Sequence, residues 1–89
     1  MEVSYRKLFL KDLKKLKNLK IYDKIYKLVF EELPNISKIE EIKGLKRLKG
    51  SNCRYRIKIG DYRIGVEIHG HKIEIMRVLH RKDFYKYFP

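Results

Sequence analysis

The sequence has little of what several classes of protein require. It contains one cysteine, no tryptophan and two prolines among 89 residues. The single cysteine, Cys53, allows no internal disulfide and no zinc site built from paired cysteines, so we interpret it as a small apolar residue. No apolar run approaches the roughly 20 residues that cross a bilayer, and the charged residues Glu2, Arg6 and Lys7 lie where a signal peptide is apolar. We therefore expect a cytoplasmic protein with no membrane partner.

Acidic residues are also scarce. The chain carries 23 Lys and Arg against 11 Asp and Glu, which gives a formal net charge of +12. A field of this sign attracts polyanions, so nucleic acid or an acidic protein is the expected partner. Seven tyrosines, four phenylalanines and a hydrophobic fraction of 44% argue against disorder. The length predicts a single domain over residues 1–89 with one modest core.

The N-terminal half has the apolar spacing of helices. Phe9, Leu13 and Leu16 recur at helical intervals between lysines, which predicts an amphipathic helix of about three turns. A second stripe runs over 21–33 and ends at Pro34, which cannot continue a helix. We expect these two helices to form a hairpin.

Two short N-terminal segments give weaker patterns. Residues 3–5 fit a short first strand. Between 35 and 44, Ser37 and Glu40 have the spacing of a capping box, and Gly44 suits a helix end. This segment predicts at most a single helical turn.

Two strands follow in which apolar and charged residues alternate. Residues 53–59 and 62–68 each have period two and are separated by Gly60 and Asp61, which predicts a β-hairpin. A two-residue loop sets Ile59 opposite Tyr62 and Lys58 opposite Arg63, and Arg54 opposite Glu67. Four cations then share one face of the hairpin: Arg54, Arg56, Lys58 and Arg63.

A third strand and a short closing segment complete the pattern. Residues 72–79 are apolar enough to predict a central strand of the sheet, buried on both sides. The segment 80–87 predicts a short helix or turn. His69 and His71 flank Gly70 in a turn, and with no nearby carboxylate cluster we interpret them as solvated rather than as metal ligands. No metal or other cofactor is expected.

Two motifs resemble a known family. Leu48, Lys49 and Gly50 followed by 55–64 (YRIKIGDYRI) resemble a signature of the RelE/ParE toxin superfamily, and 77–85 (RVLHRKDFY) resembles the closing motif of that family. The resemblance extends over the whole chain. It implies an α+β fold in which two N-terminal helices pack on one face of a mainly antiparallel, twisted sheet of about four strands, leaving the other face concave and open.

The resemblance also implies a function. Ribonuclease members of the superfamily cut mRNA in the ribosomal A site and are silenced by an antitoxin, so we expect a metal-independent mRNA interferase of a type II toxin–antitoxin system. Its partners would be mRNA, the ribosome and a cognate antitoxin. By resemblance, the following residues match catalytic positions: Arg56, Lys58, Arg63, Arg81 and Tyr85. Lys49, Arg54 and Lys82 are further candidates for RNA binding.

Two residues, Tyr85 and His80, are candidates for the group that transfers the proton. A phenol such as that of Tyr85 is a poor base at neutral pH unless nearby cations favour its phenolate, and Lys58 and Arg63 are candidates for this effect. Tyr85 also suits stacking on a base. His80 is the alternative, since an imidazole exchanges protons near neutral pH.

Two other functions fit parts of the sequence. A ParE-like inhibitor of DNA gyrase would share the fold but act through protein contacts, without a need for the cationic cluster. A non-catalytic module that binds nucleic acid would explain the charge equally well, but not the closing tyrosine motif. A cationic strand face alone is often only a solvated surface.

Overall fold

The computed structural model describes all residues, 1–89, and contains a five-stranded mixed sheet. The strands are β1 (Glu2–Tyr5), β2 (Leu45–Arg47), β3 (Arg54–Ile59), β4 (Tyr62–His69) and β5 (Lys72–His80). Their spatial order is β1-β5-β4-β3-β2, with β1 parallel to β5 and all other pairs antiparallel. The α+β class is confirmed, but the expected sheet of about four mainly antiparallel strands is corrected to five strands in a mixed sheet. The sequence missed β2 because three residues are too few to show alternation.

Three α-helices accompany the sheet. They are α1 (Lys7–Lys15), α2 (Ile21–Tyr26) and α3 (Phe84–Tyr87). α2 continues through a π-helical segment, Lys27–Glu32, and a 3₁₀ turn, Leu33–Asn35, and Pro34 lies in that last turn. The expected helical hairpin differs in detail, because α1 packs mainly on β5 rather than on α2. None of the helices has the length and apolarity needed to span a bilayer.

A single helical turn forms within residues 35–44, as expected. It is a 3₁₀ turn, Ile39–Glu41. The capping carboxylate belongs to Glu41 rather than Glu40, and it accepts hydrogen bonds of 2.9 Å from the backbone N–H groups of Ser37 and Lys38.

The main core lies between the helices and one face of the sheet. Phe9 of α1 and Ile25 of α2 are fully buried against Ile57, Ile64 and Ile75 of the sheet. Burying these side chains is the principal favourable contribution to folding, at about 1.5–3 kcal/mol each. This face of the sheet is called the helix face below.

A β-bulge aligns the apolar residues of β5 with the helix face. Gly65 pairs with Arg77 but Val66 pairs with Ile75, so Met76 is the extra residue. The bulge shifts the alternation by one residue, and Ile75 and Val78 are therefore both buried on the helix face. The expectation that β5 is central and buried on both sides is wrong, because β5 lies between β1 and β4, and β4 is the central strand.

A buried ion pair fixes α1 to β5. Asp12, only 6% exposed, accepts hydrogen bonds from Arg77 Nε at 2.7 Å and Arg77 Nη2 at 3.1 Å. It also accepts a hydrogen bond of 3.2 Å from the backbone N–H of Val78, a residue of β5 beyond the last pair that β5 forms with β1. Because Asp12 hydrogen-bonds its guanidinium, the pKa of Arg77 is raised above its ordinary value. Removing either partner would leave a buried charge uncompensated.

The opposite face of the sheet carries a smaller apolar contact. Phe84 and Phe88 are buried there, with ring centroids 5.2 Å apart. A Cβ atom added to Gly65 would lie 2.7 Å from the Phe88 ring, so this glycine provides the space into which the ring packs. The C-terminal segment therefore covers part of the face that the resemblance describes as open.

Candidate functional site

The β3–β4 hairpin presents the cations that the sequence singled out. Gly60 has a φ of +57°, while Asp61 does not have a positive φ, which fits a type II′ turn with glycine at its first central position. Because a type II′ turn takes glycine at its first central position, the order Gly60-Asp61 fits this two-residue turn. The register pairs Ile59 with Tyr62 and Lys58 with Arg63, as predicted.

Three cations lie on the face opposite the helices. Lys58 and Arg63 are directly paired, and Arg56, paired with Gly65, lies two residues further along the same face. Paired residues have Cα atoms about 4.5–5.5 Å apart, and alternate residues of a strand are about 6.6 Å apart. We call Arg56, Lys58 and Arg63 the cationic face.

Both arginines of the cationic face are tethered through one nitrogen. Arg56 donates from Nη1 to the carbonyl of Gly44, and Arg63 donates from Nη1 to the carbonyls of Gly60 and Tyr62, both at 3.0 Å. Nε and Nη2 of each guanidinium make no hydrogen bond within the protein. Each side chain is thus held in place while a pair of its donors stays available for an anion.

Gly44 also fixes the backbone beside Lys58. Its carbonyl accepts the N–H of Lys58 at 3.0 Å, and a Cβ on Gly44 would lie 2.7 Å from the carbonyl oxygen of Lys58. The φ of Gly44 is +79°, which also favours glycine here. The Lys58 side chain is exposed and forms no ion pair.

Arg81 lies at the turn end of the same hairpin. Its backbone N–H donates to the carbonyl of Asp61 at 2.8 Å, and its Nε lies 3.9 Å from the Asp61 carboxylate. The side chain is 58% exposed, so this ion pair is weak.

His80 is not brought together with the cationic face. It pairs with Tyr62, whose strand neighbours Ile64 and Val66 are buried in the core, so the register sets His80 on the helix face. Its Nδ1 accepts the backbone N–H of Lys82 at 3.2 Å, and its ring meets Tyr62 edge-on at 5.3 Å. Lys82 itself is exposed.

Tyr85 borders a cavity of about 470 Å³ next to β2. The tyrosine is 67% exposed. The other residues that line the cavity are Lys46, Arg47, Leu48, Lys49, Gly50 and Ser51. The cavity therefore brings Tyr85 together with the candidate Lys49, but Arg56, Arg63 and Arg81 are not among its lining residues.

The sequence did not single out two cations beside Tyr85. Lys46 and Arg47 line its cavity, and Lys46 pairs with Arg56 across β2 and β3. Both residues come just before the Leu48 motif, and their positive charge was the only signal in the sequence. Their role depends on β2, which is too short to be recognised by periodicity.

Arg54 differs from the other cations because a carboxylate neutralises it. Its Nε donates to Glu67 at 3.1 Å, which is the predicted cross-strand pair. Hydrogen bonds from His69 and from Arg54 lower the pKa of Glu67 below its ordinary value. Arg54 is thus already paired, unlike Arg56, Lys58 and Arg63.

Known proteins resemble this chain over nearly its whole length. The family model described as "ParE toxin of type II toxin-antitoxin system, parDE" matches residues 3–85. Toxin RelE3 of Methanocaldococcus jannaschii is 44% identical over 90 residues, which cover 100% of both chains.

Solved structures show the same fold. In the RelB–RelE antitoxin–toxin complex from Methanococcus jannaschii, the matching chain has 42% identity and a TM-score of 0.79, and the match covers 97% of this chain and 99% of that one. The Escherichia coli DinJ–YafQ complex matches with a TM-score of 0.74 at 15% identity, over 94% of this chain and 97% of that one, which supports the fold alone. The chain therefore belongs to the ParE toxin family of type II toxin–antitoxin systems, within the RelE/ParE superfamily.

Proposed function

We propose that this toxin is a metal-independent, ribosome-dependent endoribonuclease that cleaves mRNA. The observation that carries the proposal is the tethering of Arg56 and Arg63 on one face of the β3–β4 hairpin. Lys58 pairs with Arg63 and lies two residues from Arg56, and both guanidinium groups keep free donors. Donors that are already oriented towards developing charge commonly give the largest catalytic contribution. A merely solvated cationic surface has no need of such tethers.

The chemistry requires no external nucleophile, because RNA carries its own. Deprotonation of a 2′-hydroxyl lets its oxygen attack the adjacent phosphorus, and the bond from phosphorus to the 5′-oxygen breaks. The leaving oxygen takes up a proton, which leaves a 2′,3′-cyclic phosphate and a 5′-hydroxyl. In this scheme Arg56, Lys58 and Arg63 hold the phosphate oxygens and stabilise their charge. Arg81 adds a further guanidinium group near the turn of the β3–β4 hairpin.

Tyr85 is assigned the role of contacting the nucleotide beside the scissile bond. It is exposed and lies beside Lys46 and Lys49, so a base stacked on its ring would have cations close to its phosphate. His80 is not assigned a role in proton transfer, since the register sets it on the face of the sheet opposite the cationic face.

A cognate antitoxin is the proposed protein partner. The similar chains from Methanococcus jannaschii and Escherichia coli were solved in toxin–antitoxin complexes. With a net charge of +12, this toxin would be blocked by a segment that places carboxylates against the cationic face.

Primer extension on an mRNA under translation in vitro tests the ribonuclease. We expect cuts in the wild type that need the ribosome, and a loss of at least about a hundredfold in Arg63→Ala and Arg81→Ala, the typical effect of removing one donor to developing charge. Lys14→Ala is the matched control, because it removes an exposed cation of α1 and should leave cleavage unchanged.

The same preparations separate the two rival functions. Gyrase-linked DNA breaks without RNA cuts would identify a gyrase inhibitor of the ParE kind. Neither activity, together with binding of RNA, would identify a non-catalytic module. Cleavage that survives in both arginine variants would show that the cationic face is not the catalytic centre.

A further inference from the structure

Three potential metal ligands meet at the end of the β3–β4 hairpin away from its turn. The Sγ atom of Cys53, a carboxylate oxygen of Glu67 and a ring nitrogen of His69 all lie within 4.8 Å of one another. Thiolate, imidazole and carboxylate are the ligands that Zn²⁺ takes in proteins, with bonds of about 2.0–2.3 Å. Two atoms bound to one ion are at most two bond lengths apart, so small side-chain rotations would close the site. We propose that Cys53, Glu67 and His69 bind one divalent transition-metal ion of the zinc class.

The backbone fixes the positions from which these ligands extend. Glu67 and His69 are alternate residues of β4, so their side chains leave the same face of the sheet. Cys53 is joined to this strand because the N–H of Ile68 donates to its carbonyl at 2.9 Å. The three ligands therefore come from a strand and a segment bonded to it, which reduces the entropy lost on binding an ion.

Neighbouring residues orient two of the ligands. Arg54 Nε donates to Glu67 Oε2, while Oε1 lies 3.3 Å from His69 Nε2 and so faces the cluster. Ser51 Oγ accepts the N–H groups of Cys53 and Arg54 and lies 4.0 Å from Cys53 Sγ. Because that oxygen already accepts two hydrogen bonds, the hydroxyl proton is free to point at the sulfur. Such outer contacts are typical supports of metal ligands.

The ligand set determines the class of ion. A thiolate and an imidazole favour Zn²⁺ or Co²⁺ over Mg²⁺ and Ca²⁺, which take oxygen ligands. Three protein ligands leave a fourth tetrahedral position for water or for a ligand from outside the chain. Cys53 is half-buried and His69 is exposed, so an ion can enter from solvent.

This site is separate from the proposed cleavage centre. The pair Arg54–Glu67 lies four residues along the strands from the pair Lys58–Arg63, a separation of about 13 Å. An ion at the cluster would therefore not touch a phosphate held by Lys58 and Arg63. The proposal does not depend on the ribonuclease activity and can succeed or fail alone.

Titration of the full chain with Co²⁺ under a non-chelating reductant tests the site. We expect a thiolate-to-cobalt charge-transfer band that saturates at one ion per chain, is displaced by Zn²⁺ and is unaffected by Mg²⁺. Cys53→Ser should abolish the band. Glu67→Gln and His69→Gln should each weaken binding by more than about tenfold, at least the effect of losing an outer partner. His71→Gln is the matched control, because this turn histidine lies outside the cluster and should bind as the wild type does.

A second measurement keeps the test valid if a variant folds poorly. Zn²⁺ should raise the melting temperature of the wild type and of His71→Gln, but not that of Cys53→Ser, with circular dichroism confirming that each variant is folded. No charge-transfer band in the wild type would overturn the proposal. So would a band that persists in Cys53→Ser, or one that Glu67→Gln and His69→Gln leave unchanged.

Discussion

Arg56 and Arg63 of the β3–β4 hairpin contribute a fixed orientation as well as a positive charge. The chain has 23 basic side chains, and hydrogen bonds within the protein hold five of them, all arginines: Arg6, Arg54, Arg56, Arg63 and Arg77. Arg56 and Arg63 have a fixed orientation because backbone carbonyls of Gly44, Gly60 and Tyr62 accept hydrogen bonds from a single nitrogen of each. A guanidinium group that is already held by a hydrogen bond loses less conformational entropy when it binds a phosphate than a free side chain does.

The Tyr5 phenol makes the free energy of unfolding depend on pH in the alkaline range. Its hydroxyl donates to the carbonyl of Val29 at 2.6 Å, and burial raises the pKa of its phenol above the ordinary value of about 10. Because this pKa is higher in the folded state, the contribution of Tyr5 is fully present below pH 10 and is lost as pH rises through the folded-state pKa. We expect Tyr5→Phe to cost about 0.5–1.5 kcal/mol at pH 8 and to show a shallower alkaline decline.

Urea unfolding of the wild type and Tyr5→Phe between pH 8 and 11 measures this effect. The matched control is Tyr26→Phe, since Tyr26 is 43% exposed. Its unfolding free energy should follow that of the wild type at every pH. Parallel pH profiles for the wild type and Tyr5→Phe would contradict the assignment.

Among the elements, α3 is short and is held by packing against the sheet. It has only four residues, so it cannot be stable alone. It is held by Phe84 and Phe88, which are buried on the face of the sheet opposite the helices, over Gly65. The position of Tyr85 therefore depends on the absence of a side chain on β4.

Gly65→Ala should release α3 while leaving the sheet folded. The added methyl group would lie 2.7 Å from the Phe88 ring, which must move away, and such overpacking costs about 1–3 kcal/mol. We expect faster hydrogen exchange over Phe84–Tyr87 and weaker RNA cleavage. Exchange measured by mass spectrometry, alongside primer extension, provides the readout.

A compensating variant identifies the cause. Combining Gly65→Ala with Phe88→Leu replaces the ring with a smaller side chain, so it should restore much of the protection of α3. Unchanged exchange in Gly65→Ala alone would show that Phe88 does not hold this element.

For the whole molecule, the net charge of +12 governs encounter with RNA but not its orientation. The lysines of α1 contribute to the field from the helix side. The cationic face and Arg81 contribute both field and contact. These two contributions differ in their dependence on salt, because only contacts with phosphates release condensed counterions.

Binding of a short single-stranded RNA at several KCl concentrations distinguishes them. If Arg56, Lys58, Arg63 and Arg81 each contact a phosphate, the slope of log K against log salt should be roughly −3, from about 0.7 per contact. Arg63→Ala should reduce the magnitude of the slope by about 0.7, and Lys14→Ala should change it much less. Equal slopes in the two variants would mean that the cationic face makes no specific phosphate contact.

Local periodicity was enough to predict much of the architecture. The helical spacing of Phe9 and Leu13 and the alternation in 53–59 and 62–68 identified α1 and the hairpin, and the two-residue loop fixed the pairing of Lys58 with Arg63. These features depend on residues close in the chain, so the sequence contains the information directly. The segment 80–87 likewise predicted a short helix or turn, which is α3.

Contacts between distant residues decided the rest. The parallel pairing of β1 with β5, the strand β2 and the bulge at Met76 depend on partners that no local pattern specifies. The same bulge sets His80 on the helix face, although alternation without it would have grouped His80 with the cations.

The candidate site likewise combines residues that the sequence identified with contacts that form only on folding. Residue types and motifs identified Arg56, Lys58 and Arg63, whereas the tether from Arg56 to Gly44 and the cavity of Tyr85 exist only after folding. Cys53 was interpreted as apolar because it is the only cysteine of the chain, and His69 as solvated because no carboxylate cluster is near it in the sequence. Their approach to Glu67, within 4.8 Å, exists only after folding. The sequence by itself determined the elements and the charge, since both follow from neighbouring residues. Tertiary structure alone decided which side chains meet, because long-range pairing, the bulge and the packing of Phe88 determine those distances.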